Sequence, residues 1–149
     1  MHQLYNQKMN RALRCILSRF LIAIVAFWNI LAGLTFLLAP SKFAVSYELS
    51  GIPGNTAVQA VGLLFIMWTV PYLFTIVDPC KYKILLASII TAQAIGVLGE
   101  LLVISQIPAT NHTLRISSQR FLIFDSIGLI LLLGAAFLAR FKIDQIRGI

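Results

Sequence analysis

The chain is 149 residues long, 59% of them hydrophobic and only 11% charged, with a formal net charge of +7. A soluble domain carries about 25% charged residues, so this composition excludes an ordinary water-soluble fold and places the chain in the membrane class. The positive charge does not point to nucleic acid, because the basic residues flank apolar runs in the pattern that sets membrane topology.

The N-terminal stretch "MHQLYNQKMNRALRCILSRF" is polar and basic, turning apolar at Ile16 and Leu17. It reads as an interfacial lead-in whose Arg14 and Arg19 extend to lipid headgroups. Four apolar runs follow, at 20–39, 57–77, 84–105 and 121–139. Each has the roughly 20 residues that a helix needs to cross a ~30 Å hydrocarbon core. Barrel strands would be about half as long and would alternate polar with apolar. The first run exceeds the usual apolar core of a signal peptide, and "FLLAPSKF" after it lacks a small-residue cleavage site, so it is expected to be a retained helix.

Pro40 ends the first span, and "PSKFAVSYELSGIPGNT" connects it to the second. Phe43, Tyr47 and Leu49 among polar neighbours suggest a short amphipathic helix lying on the membrane surface. Gly51, Pro53 and Gly54 read as breakers before a cap at Asn55 or Thr56. Inside the second span Pro71 should kink the helix. Trp68 and Tyr72 flank it, Tyr72 as an interfacial anchor and Trp68 as a candidate for stacking on a ligand. "DPCKYK" is a tight turn, and "QIPATNHTLRISSQR" is a polar loop in which "NHT" matches the N-glycosylation pattern at Asn111.

Lys8, Arg11, Arg14, Arg19, Lys81, Lys83, Arg140, Lys142 and Arg147 fall on one side of a four-span topology, against Lys42, Arg115 and Arg120 on the other. The asymmetry places both termini in the cytoplasm. Cys15 and Cys80 then lie at the cytoplasmic boundary, where disulfides are disfavoured.

Ionisable and polar groups within apolar spans mark sites by default. Glu100 and Asp125 are the acids, supported by Gln59, Gln93 and Asn29. Counted from the ends of the runs, both acids lie about 6–7 Å below the outer surface at 1.5 Å per residue. Gln93 and Glu100 share a helix face with Gly96 between them; Gln59 is followed by Gly62, Asp125 by Gly128 and Asn29 by Gly33. Small residues on these stripes let helices approach closely and turn the polar groups inward. Three roles remain open for the acids: interhelical hydrogen bonding, a pocket for an amine or hydroxyl on an apolar molecule, and proton handling. The motifs of metallohydrolases, serine hydrolases and phosphate-binding loops are missing, as is a histidine set for metal or haem.

The segments "LLAPSKFAVSYELSGIPG", "QAVGLLFIMWTVPYL", "DPCKYKILL", "AQAIGVLGELLVI" and "RFLIFDSIGLILL" together resemble the BphX-like small membrane proteins and, more loosely, the DoxX-like four-helix families. Order and spacing carry the likeness, from about residue 28 to 133. It implies an antiparallel four-helix bundle with a surface helix after the first span, and carries over no catalytic residue. The expectation is therefore a single-domain, all-α, multi-pass membrane protein with an antiparallel four-transmembrane-helix bundle and a short interfacial helix. Its function is a non-enzymatic accessory subunit of a larger membrane complex, or a binder of an apolar small molecule or lipid. The candidate site is Glu100, Asp125, Gln59, Gln93, Asn29 and Trp68, with no metal and no cofactor assigned. The alternative is a membrane enzyme or proton-coupled carrier using Glu100 and Asp125.

Overall fold

The computed structural model describes residues 2–139, with the side chains of 2–8, 10 and 11 left out. Arg140, Lys142 and Arg147, which weigh in the topology count, lie outside the described residues. Among those described there are five helices: α1 (His2–Leu38), α2 (Pro40–Ser46), α3 (Gly51–Val77), α4 (Lys83–Gln106) and α5 (His112–Leu138). Stretches within α1, α3, α4 and α5 are long and apolar enough to cross a membrane, as a small multi-pass membrane protein requires.

Three helix starts differ from the sequence reading. The basic lead-in and the first span are one continuous helix. The second span begins at Gly51, the first of the residues read as breakers, so Asn55 and Thr56 are helical and do not cap. Gly51 takes a positive φ of 65°, and Pro53 sits in the first turn, where a backbone N–H has no intrahelical partner to lose. The polar stretch before the fourth span is already helical from His112. Hydropathy marks where hydrocarbon begins, whereas helices continue past that boundary. Pro71 lies inside α3, and the helix runs through it to Val77.

The long helices form a ring in which α1 meets α3 and α5, and α4 meets α5 and, least extensively, α3. The α1–α3 seam is antiparallel with a fixed register. Cys15 is bonded to Cys80 just beyond one end, Gln59 Nε2 donates to the Leu37 carbonyl at the other end, 3.3 Å away, and Gly33 opposes Gly62 about one helical turn from that second end. The disulfide corrects the expectation of unpaired boundary thiols: the register that joins the two glycines also brings Cys15 to the α3–α4 turn. In that turn Asp78 Oδ1 accepts from the backbone N–H groups of Cys80 and Lys81, both at 3.1 Å, an Asx arrangement.

One half of the ring, toward the disulfide, is filled. Ile22, Val25, Tyr72, Leu86, Ile89 and Leu132 are fully or almost fully buried there, and Ser18 Oγ donates to the Ala135 carbonyl at 2.9 Å. The other half is organised by aromatic rings. Phe36 packs at 4.5 Å from Phe43 of α2, 6.0 Å from Phe65 and 6.4 Å from Phe121 between ring centres. Outside, large apolar side chains such as Phe27, Phe74, Leu102 and Phe137 stand exposed on every long helix. An apolar surface this extensive is unsuited to water and suited to lipid.

Candidate functional site

The packed half and the aromatic half meet at a line of polar side chains. Asn29 of α1 is 3% exposed, Tyr72 of α3 is 0% exposed and Gln93 of α4 is 7% exposed. The Tyr72 hydroxyl donates to Gln93 Oε1 at 3.0 Å, and Asn29 lies within hydrogen-bonding reach of the same hydroxyl. Gln93 Nε2 donates onward to the Asp125 backbone carbonyl at 3.2 Å, and the Asp125 side chain lies within hydrogen-bonding reach of Gln93. The carboxyl groups of Asp125 and Glu100 lie within hydrogen-bonding reach of each other. Helices α1, α3, α4 and α5 thus each contribute to one continuous chain of polar groups.

Small residues make room for it. A Cβ at Gly96 would sit 3.6 Å from Asp125 Oδ2, and one at Gly128 would sit 3.4 Å from Gln93 Nε2. Of the four glycine stripes, those of Gly96 and Gly128 meet polar side chains, whereas Gly33 and Gly62 meet each other.

Beyond the carboxyl pair lies a cavity of about 710 Å³. Its walls include Phe36, Val58, Val61, Gly99, Glu100 and Phe121, and Tyr47 and Leu49 of the α2–α3 connection also line it. A Cβ at Gly99 would meet nothing within 4 Å, so the cavity reaches the α4 backbone. Val61 and Val103, on the facing sides of α3 and α4, are exposed as well as lining the cavity. The space therefore opens laterally where these two helices make least contact. Glu100 Oε2 is buried and has no hydrogen-bond partner among the described residues. Burial, reinforced by the negative charge of Glu100, pushes the Tyr47 phenol above its ordinary value of 10.0.

The connection is pinned from outside by Glu48, between Tyr47 and Leu49. Its Oε2 accepts from Asn111 Nδ2 at 2.6 Å and its Oε1 from the Leu114 backbone N–H at 3.3 Å. The second bond satisfies an orphan donor at the start of α5. Glu48 holds φ at 56°, a left-handed conformation that non-glycine residues seldom adopt. The Asn111 side-chain nitrogen, the atom that glycosylation would modify, is engaged in this contact.

The structure gathers Asn29, Gln93, Asp125 and Glu100 and leaves two expected members apart. Gln59 is exposed and serves the Leu37 carbonyl. Trp68 is 48% exposed, facing away from the interior; of the six expected residues only Glu100 lines the cavity, with Asp125, Gln93 and Asn29 behind it. Tyr72, read as an interfacial anchor, is instead the central donor of the network. Its place was signalled by the run Val58, Gly62, Phe65, Thr69, Tyr72, whose spacing of three and four follows one inward helix face. Asp125 lies about 20 Å along α5 from its N-terminus, because that helix starts well before its apolar run. Among the described residues no three His, Cys, Asp or Glu side chains converge as a metal site would require.

Comparison with protein-family models, curated proteins and solved structures finds no match. The likeness to BphX-like proteins therefore rests on segment order and spacing alone.

Proposed function

We propose that this small membrane protein binds an apolar small molecule or lipid in the cavity between α3, α4 and α5, with Glu100, backed by Asp125, as its polar contact. One observation carries the reading. A carboxyl oxygen is buried without a partner in the wall of an otherwise largely apolar space. Leaving a buried acceptor unsatisfied costs about 1–3 kcal/mol, whereas an occupant with a donor removes that cost. The volume lies within the range of about 300–1,000 Å³ typical of small-molecule sites. The lateral opening offers entry from the membrane, where such a molecule is dissolved.

The test is native mass spectrometry of the protein released from lipid nanodiscs, comparing wild type with Gly99→Leu. Wild type should retain a small molecule or a discrete lipid. Gly99→Leu, which extends a side chain into space empty of neighbours, should fold normally and lose it. Equal retention by both proteins refutes the cavity as the binding site.

A further inference from the structure

Resting on that reading, we propose that the occupant is a single-chain amphiphilic monocation, a long-chain amine, whose ammonium sits at Glu100 and whose chain fills the apolar cleft. The direction of the hydrogen bonds points to this class. Tyr72 gives its one proton to Gln93 Oε1, and Gln93 Nε2 gives to the Asp125 backbone carbonyl, with the Asp125 carboxyl within its reach. The donors of this chain are therefore spent before Glu100. Beyond Asp125 stands Glu100, whose Oε2 receives nothing. A network that terminates in acceptors is completed by a group that only donates, and an ammonium has three N–H donors and no acceptor.

Charge leads to the same class. No cavity-lining residue is basic. An ammonium pairs its charge with a Glu100 carboxylate set in this apolar wall. An anion would add repulsion, and a neutral alcohol would leave the charge uncompensated in an apolar wall. Tyr47 lines the same cavity and interacts electrostatically with Glu100, which puts an aromatic face near the expected cation. The remaining lining is mostly Phe, Leu, Val, Ala and Gly, suited to a hydrocarbon chain.

The experiment compares dodecylamine, dodecanol and dodecanoate, at equal mole fraction in phosphatidylcholine nanodiscs, by their effect on thermal unfolding of wild type and Glu100→Gln. Dodecylamine should stabilise wild type, and Glu100→Gln should weaken its binding by ~10-fold or more, as loss of a charged hydrogen bond does. Dodecanol and dodecanoate should do neither. Equal stabilisation by amine and alcohol, unchanged in Glu100→Gln, overturns the cation assignment and leaves the cavity reading intact. If no probe acts and Gly99→Leu retains the same molecules as wild type, both fail. Should Glu100→Gln not fold, the amine–alcohol comparison in wild type decides alone.

Discussion

Gly33→Ala and Gly99→Ala add the same methyl group to helices of the same bundle and should have opposite effects. At Gly33 the new Cβ would stand 2.8 Å from the Gly62 carbonyl oxygen and 3.2 Å from Phe65 Cβ. The first neighbour is backbone and cannot rotate aside. To restore an ordinary 3.4 Å contact, α1 and α3 must part by about 0.6 Å, the difference between those two distances. The disulfide below and the Gln59–Leu37 bond above restrict how the seam can open. Overpacking of this kind costs about 1–3 kcal/mol. At Gly99 the Cβ meets nothing, and removing glycine's freedom contributes up to ~1 kcal/mol of stability. SDS titration of the protein in mixed micelles, followed by circular dichroism, should give the order Gly99→Ala, wild type, Gly33→Ala. The double variant Gly33→Ala/Gly62→Ala should cost less than the sum of its parts, since one separation relieves both contacts. A Gly33→Ala protein as stable as Gly99→Ala would refute the reasoning that backbone contact holds this seam.

Reduction of the Cys15–Cys80 bridge, which closes a sequence separation of 65 residues, should lower stability. The chain-entropy limit is ~4 kcal/mol, and the effect should be smaller in a membrane where the unfolded chain keeps its helices. Unfolding with and without reductant checks this, and Cys15→Ser should be insensitive to reductant. The Tyr47 phenol has a raised pKa in the fold, so the folded state holds its proton more tightly than the unfolded state. Stability should therefore fall as pH climbs above about 10, and Tyr47→Phe should flatten that part of the pH–stability curve. Glu48→Ala removes the acceptor for Asn111 and Leu114 and should cost ~1 kcal/mol, as loss of a helix N-cap does. It should also speed exchange of the occupant, measured by release of a bound fluorescent amine; an unchanged rate would show that this connection does not control access.

Features set along a single helix were legible in the sequence. The four spans follow from run length and hydropathy, and Glu100, Asp125, Gln93 and Asn29 stood out as polar groups in apolar surroundings. Pairings between helices were less legible, because they depend on the rotation of two elements at once. Gln59 and Trp68 fall on faces of α3 that turn away from the cavity. Tyr72 was assigned by its distance from the end of the span, when its face decided its role. Gly99 borders empty space, whereas Gly33 and Gly62 make the close backbone contact. Spacing shows which residues share a stripe, but which neighbour that stripe meets is set by the ring order.

Two signals about orientation conflict, for a physical reason. Basic residues concentrate at the end that carries Cys15 and Cys80, and positive charge favours the cytoplasmic side during insertion. A disulfide there would stand in a compartment that keeps thiols reduced. Charge acts while the chain enters the membrane, whereas survival of a disulfide depends afterwards on whether an attacking thiolate can reach its sulfurs. Cys80 packs against the buried core beside the fully buried Pro79, and Cys15 is half-buried. The packing that brings the two sulfurs together thus also restricts reductant access, and the bridge reports the closeness of α1 to the α3–α4 turn more directly than it reports the compartment.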